Sequence, residues 1–185
     1  HARLNCTRVF IVDPIDGTRA FIEKSKDWAH AIAVVEAGQV VAGVVYLPAR
    51  NALYAAAAGQ GATLNGHPLA VRPAKPLAEA EVLTTKPNLK PERWQGGRVP
   101  FSPKYRSSLA WRLCLVAEGR FDAMLTLSPA WEWDIAAGAL IAAEAGAKVT
   151  DKNGRALTFN RRRAKADSVI TAAPNLHRQI KGALA

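Results

Sequence analysis

Four apolar residues, Val9-Phe10-Ile11-Val12, run directly into Asp13-Pro14-Ile15-Asp16-Gly17-Thr18. This junction restricts the folds open to the chain more than any other feature. An unbroken β-branched and aromatic run bounded by Pro and Gly reads as a strand buried on both faces. Pro14 then sets a turn, so that both carboxylates and the Ile15 carbonyl can face one centre at the carboxyl end of the strand, where open sheets place their ligands. Hard oxygen donors of this kind suit Mg2+, with water or phosphate oxygens completing its shell. Gly17 lets the backbone approach a bound group. The amides of Gly17 and Thr18, opening a short helix through Arg19 to Ile22, would cradle an anion. Asp, Pro and Gly also dominate ordinary turns, so the junction alone does not separate a metal site from an unliganded bend.

The remaining pattern places this junction in a sheet. Residues 29–36 (AHAIAVVE) and 40–46 (VVAGVVY) are β-branched runs separated by three residues including Gly38, which predicts a hairpin. ALYAAAA and HPLAV continue a sheet-rich first half, expected to span residues 1–83. After EVLTTK comes a Pro-, Lys- and Arg-rich stretch, a loop or a broken helix, that opens a second unit over 84–185. In that unit Ser107 starts a helix with Leu109, Leu113 and Val116 on one face and Gly119 as its stop. FDAMLTL is a strand, Trp133 to Gly146 an Ala-rich helix, and KVT, DKNGR and DSVITAA give strand, turn and strand. Pro174 opens a closing helix, at a position where its missing N–H is not needed. Helices and strands alternate, so the class is α/β.

Composition excludes several classes. With 49% hydrophobic and 22% charged residues, a chain of 185 residues is neither disordered nor too small for a sizeable core. Cys6 and Cys114 are the only cysteines, which excludes a disulfide framework or a Cys-based zinc site and favours a reducing, cytoplasmic setting. No apolar run reaches the ~18 residues of a membrane span, and no signal-peptide pattern is present. The chain starts at His1 instead of a methionine, from which a missing N-terminal piece is expected. A net charge of +10 attracts anions, phosphorylated metabolites and nucleic acid alike. The densest basic run, Arg161, Arg162, Arg163 and Lys165, has no interleaved aromatics and reads as a solvated loop, so nucleic acid is not the expected partner. His30, His67 and His177 lack ligand spacing, and Cys114 falls on the apolar face of its helix.

A third carboxylate follows at Asp134, in the first turn of the Ala-rich helix. There it suits the helix dipole, and it is also what a site holding two cations needs beyond Asp13 and Asp16. DPIDGT followed, 118 residues after Asp16, by WDIAAGALIAAEAG resembles the paired signature of the inositol monophosphatase superfamily of Mg2+-dependent, lithium-sensitive phosphomonoesterases. LCLVAEGRFDAML extends the match. VDPIDGTRAFI is most similar to the 3'(2'),5'-bisphosphate nucleotidase (CysQ) branch, whose members read DGTKEFI. The inositol branch usually has Asn-Phe after DGT and a Glu seven residues before the second Asp; here Arg19-Ala20 and Leu127 stand at those places.

The resemblance implies a layered α-β-α-β-α sandwich, here lacking its N-terminal helices. It makes Asp13, the Ile15 carbonyl, Asp16 and Asp134 metal ligands for two or three Mg2+ ions, and Gly17 and Thr18 phosphate holders. Asp16 and Thr18 are the catalytic candidates, with Thr18 orienting the attacking water. Ser107, Ser108 and Arg19 are substrate-binding candidates, Ser107 and Ser108 being equally plain helix caps. Lys104, Arg106 and Arg112 join Arg19 as candidates for a nucleotide's second phosphate. The implied reaction is in-line attack of metal-activated water on a small phosphorylated metabolite, foremost the 3'-phosphate of 3'-phosphoadenosine 5'-phosphate. Inositol or sugar phosphates are the alternative, a non-catalytic basic binding module the second, and a homodimer is compatible with either. Relatives also carry a Gly-Glu-Glu segment upstream. Only twelve residues precede Asp13 and none is acidic, so the 185 residues alone are expected to be nearly inactive.

Overall fold

The computed structural model describes residues 2–185 and stacks two sheets and the helices between and beyond them. Strands β1 (Arg8–Asp16), β2 (Ala29–Glu36), β3 (Gln39–Leu47), β4 (Ala52–Ala57), β5 (Ala62–Leu64) and β6 (His67–Pro68) form an antiparallel meander in chain order, with the short helix α1 (Thr18–Ile22) between β1 and β2. The HPLAV segment thus contributes only its first two residues. The second sheet contains β7 (Glu81–Leu83), β8 (Ser102–Lys104), β9 (Ala123–Thr126), β11 (Lys148–Thr150) and β13 (Val169–Ala172), in the order β11-β13-β9-β7-β8. β7 runs parallel to β8 and β9, and the other pairs are antiparallel. A two-residue pair, β10 (Ala130–Trp131) with β12 (Lys165–Ala166), closes beside it. β7 precedes residue 84 yet belongs to the second sheet, so the changeover lies between Pro68 and Glu81.

Helices α2 (Leu109–Ala117) and α3 (Glu132–Glu144) fill the space between the sheets. Their side chains share one core with Ala31, Val35 and Val45 of the first sheet and Met124 and Val169 of the second. A second core, with Trp94, Phe101, Leu125, Ile170, Leu176 and Ile180, lies where α4 (Pro174–Gly182) packs against β13. The order sheet, helices, sheet, helix is that of the expected sandwich without its first helical layer. No helix among the described residues is long and apolar enough to cross a membrane.

β1 departs from the sequence reading. Val9 and Ile11 face the α2/α3 core, whereas Phe10 is 70% and Val12 49% exposed on the other side, with Ile32 and Leu53 exposed as well. The continuous apolar pattern is therefore not a strand covered on both faces in this chain: the helices cover only one. The Pro-rich stretch is a series of 3-10 turns, Lys86–Leu89, Pro91–Arg93 and Gln95–Gly97, pinned by the buried Trp94, whose indole donates to the Asn88 carbonyl at 2.9 Å.

The Ala-rich composition of α3 has a steric cause. A Cβ on Gly43 of β3 would sit 3.0 Å from the Ala137 Cα, and a Cβ on Gly138 would sit 2.8 Å from the Leu113 Cβ of α2. α3 is gripped from both sides, and only small residues permit that approach. Gly138→Ala gains helix propensity but forces α2 and α3 apart; overpacking of this kind costs roughly 1–3 kcal/mol. Urea unfolding should show that loss, and an unchanged or raised midpoint would show that the interface can yield.

Candidate metal centre

A regular strand places residues three apart on opposite faces. Asp13 pairs with Ala31 and Asp16 with Ala29, so three steps on β1 oppose two on β2, a β-bulge with one extra residue. The bulge returns both carboxylates to the inner face, where Asp13 and Asp16 are buried. Local bonds hold it: the Asp13 carboxylate accepts from the Ile15 N–H at 2.9 Å, the Thr18 hydroxyl donates to the Ile15 carbonyl at 3.1 Å, and the His30 ring on β2 bonds the Pro14 carbonyl. His30 thus braces the turn.

Gly17 ends the bulge in the left-handed region (φ 88°), and a Cβ there would meet the Asp27 carbonyl at 3.0 Å. Conformation and space both require glycine. Behind it, Arg50 ties the loop down. Its guanidinium pairs with Asp27, donates to the Lys26 carbonyl at 3.1 Å, and lies 4.5 Å over the ring of the buried Trp111.

Asp16 reaches the start of α2. One carboxylate oxygen accepts from the Ser108 hydroxyl at 2.6 Å and from the Ala110 N–H at 2.7 Å. Ser108 is fully buried and its oxygen also accepts from the Trp111 N–H at 3.0 Å, so its hydroxyl caps α2 and holds Asp16. Among the substrate candidates it has no free face, and the Ser107 carbonyl is engaged by Arg112. Asp134 comes from the first turn of α3. Carboxylate oxygens of Asp13, Asp16 and Asp134 all lie within 4.8 Å of one another.

Burial and crowding shift the titration of this group. Burial raises the Asp16 pKa against the opposing bonds from Ser108 and Ala110. Asp134 is pushed up to about 7, first by burial, then by the charge of Asp16 and by Asp13 beside it. Three oxygen donors in one pocket, one of them reluctant to ionise unaided, are a donor set suited to a hard divalent cation. Asp13, Asp16 and Asp134 are the residues that could hold one.

The four basic candidates separate. Arg112 is buried and spent on the Arg106 and Ser107 carbonyls and on the ring of Tyr105, 4.9 Å away; burial lowers its pKa. Arg106 lies over Phe121. Arg19 and Lys104 instead line a separate cavity with Lys86 and Tyr105. Lys86, Tyr105 and Arg50 were not singled out in the sequence, and His30, which braces the turn, was set aside there as lacking ligand spacing; a Lys after β7 and a Tyr after β8, at the carboxyl ends of parallel strands, were the signal available for two of them. Arg161, Arg162 and Arg163 are exposed, and the buried Glu132 accepts the backbone N–H groups of Asn160 and Arg161 at 2.9 Å, fixing that loop. Cys114 is core and His177 is buried against Thr150.

Comparison with known proteins gives the family of the chain. The model of the inositol monophosphatase family matches residues 1–185. The chain belongs to that family. It is 34% identical over 180 residues to the Nus factor SuhB of Pasteurella multocida, covering 92% of this chain and 65% of that protein. It is 35% identical over 164 residues to the 3'(2'),5'-bisphosphate nucleotidase CysQ of Escherichia coli K12 (86% and 65%) and 32% over 179 residues to the inositol-1-monophosphatase of Bacillus subtilis (93% and 66%). The chain therefore spans about two thirds of these relatives' length. Among solved structures, inositol monophosphate-bound SaIMPase-II superposes with a TM-score of 0.85 at 28% identity, covering 95% of this chain and 68% of that one; its 2'AMP-bound form gives 0.82 at 25% identity, covering 97% and 69%. Three differently named relatives at nearly equal identity, two of them phosphatases of different substrates, mean that family membership does not choose a substrate.

The raised pKa of Asp134 has a consequence for stability. A carboxyl that titrates at about 7 when folded and near its ordinary 3.8 when unfolded keeps a proton that the unfolded chain has lost, so metal-free stability falls as pH rises from about 4 to 7. In EDTA the urea midpoint should drop between pH 5 and pH 8, and Asp134→Asn should flatten that slope. Added Mg2+ at pH 8 should restore the wild type and not the variant. Equal slopes in the two proteins would exclude Asp134 as the source.

Proposed function

We propose that the complete protein is a Mg2+-dependent phosphomonoesterase acting on a nucleoside 3',5'-bisphosphate such as 3'-phosphoadenosine 5'-phosphate. The observation that carries the reaction class is the convergence of Asp13, Asp16 and Asp134, which come from a strand bulge and a helix 118 residues later. Divalent cations held there would supply charge neutralisation at the phosphoryl oxygens and lower the pKa of water. The chain's own groups do the positioning. Ser108 and the Ala110 N–H both bond one oxygen of Asp16 and so fix its carboxylate, leaving the other oxygen free of these bonds. The Ile15 carbonyl accepts from Thr18 and keeps a second lone pair for a cation, while the Thr18 hydroxyl keeps its own lone pairs to orient water. α1 starts at Thr18 after the left-handed Gly17, and the first amides of a helix have no acceptor within it, so Gly17 and Thr18 offer donors to a phosphate.

The nucleotide preference rests on Arg19-Ala20 after Thr18 and on Leu127 where the inositol branch carries Glu. A structural neighbour that holds 2'AMP supports it. The same neighbour also holds inositol monophosphate, which keeps sugar phosphates as the second reading. Two cysteines, one exposed and one buried and neither bridged, suit a reducing cytoplasm.

Phosphate release by the complete protein with 3'-phosphoadenosine 5'-phosphate and inositol 1-phosphate, side by side under Mg2+, tests the reading. The bisphosphate should turn over faster; equal rates would remove the preference, and no release from either would remove the reaction. Asp134→Asn should lower release about 100-fold or more, as expected when a charged ligand is lost, with the pH 5 unfolding midpoint kept. A variant with near-normal rate would make Asp134 a helix cap only.

A further inference from the structure

The β1 bulge sets two residues, Pro14 and Ile15, against one on the partner strand, and that one is His30, between Ala29 and Ala31. Ala29 and Ala31 are buried on the inner face of the sheet, so alternation along β2 turns His30 to the outer face, the side of the exposed Ile32. Asp13 and Asp16 lie on the inner face. His30 is thus across the sheet from the carboxylates, and the acidic group that could hold a cation among the described residues does not include it.

His30 reaches that group through a single peptide unit. A bulge interrupts the ladder and leaves backbone groups that must find other partners. The Pro14 carbonyl finds the Nδ1 of His30. A carbonyl oxygen only accepts, so Nδ1 carries the proton. The same peptide unit ends in the Ile15 N–H, and because the unit is planar and trans its C=O and N–H point in opposite directions. The N–H end donates to the Asp13 carboxylate at 2.9 Å. Pro14 has no N–H, so Ile15 supplies the first amide after Asp13 able to hold that side chain. Fixing the carbonyl end fixes where the amide end points, and a hydrogen bond at one end polarises the unit and strengthens the bond at the other. The ring that does this is itself held in place: Trp28 meets it edge-on at 5.3 Å, and Tyr46, its cross-strand neighbour on β3, stacks at 6.5 Å.

We infer that His30 is a positioning residue for the metal centre: from the outer face of the sheet it orients the Pro14–Ile15 peptide and, through it, the Asp13 carboxylate. This role rests on the Mg2+-phosphatase reading and adds to it a residue that touches neither cation nor substrate. It also couples the two faces of the sheet, since a shift of the His30 ring on the outer side moves an oxygen donor on the inner side.

Two substitutions separate the N–H from the ring. His30→Phe keeps an aromatic ring against Trp28 and Tyr46 and removes the donor; His30→Asn keeps a donor at the distance of Nδ1 from the backbone and removes the ring. In the complete protein, Mg2+ affinity measured by calorimetry should fall about tenfold in His30→Phe, the lower end of what losing a partner behind a metal ligand costs, and stay within about twofold of wild type in His30→Asn. Phosphate release should need correspondingly more Mg2+ to reach half its maximum in His30→Phe. A residue that serves packing alone gives the reverse order, with His30→Asn the weaker binder. Mg2+ affinity equal to wild type in His30→Phe, or equally weakened in both variants, would overturn the role. If the wild type binds no Mg2+, the metal reading fails separately, and the Ile15 amide still decides the relay. In EDTA its hydrogen exchange should be about tenfold faster in His30→Phe than in wild type or His30→Asn, and an unchanged rate would refute it.

Discussion

Three carboxylates whose oxygens lie within 4.8 Å of one another, drawn from water into the seam between a sheet and two helices, set the terms for the rest of the molecule. Like charges at that spacing repel, and burial makes each ionised form more expensive. The chain answers with partial positive charge from its own backbone and with protonation. Asp16 faces the N-terminal amides of α2 and the Ser108 hydroxyl, and Asp134 stays protonated up to about pH 7 in the absence of a cation. The pocket is thus balanced for an added positive charge, and that balance links folding to ligand binding.

The same elements that carry these groups build the core, so the site cannot move independently of the packing. α3 holds Asp134 in its first turn and, one turn on, the Gly138 that admits Leu113 of α2. α2 holds Asp16 at its start and Trp111 beneath Arg50, which in turn fixes the loop against Gly17. A disturbance at the Gly43–Ala137 or Gly138–Leu113 contact therefore shifts the helix starts that set the distances between carboxylates. Tight, small-residue packing acts here as the frame of the chemistry as well as a source of stability.

Much of this was legible beforehand because its causes are local. Pro174, the Ser107-Ser108 pair and Gly146 mark helix ends by backbone chemistry that acts over a few residues, and the β2/β3 hairpin follows from two branched runs around Gly38. The acidic triad was legible only through the resemblance of its two motifs to a known family signature, since each motif alone also reads as a turn or a helix cap. Other features were hidden. Phe10 and Val12 share a residue type with Val9 and Ile11, and nothing within the strand tells which face is covered. Ser108 reads as a cap with or without a ligand, and only the arrival of Asp16 from 92 residues away turns its hydroxyl inward. Arg106 and Arg112 look as available as Arg19 until burial and the carbonyls around them are known.

What the chain determines by itself is the kinds of groups it has and the local conformations they prefer: hard oxygen donors beside Gly17, helix starts at Ser108 and ahead of Asp134, and a positive surface. What the tertiary structure decided is which groups meet. The extra residue of the β1 bulge brings Asp13 and Asp16 to one face, and the α3 packing brings Asp134 to them. The parallel ends of β7 and β8 set Lys86 beside Arg19. Propensity acts over a turn or two, whereas the separation of residues a hundred positions apart follows from how the layers close, and closure depends on every side chain in the core at once.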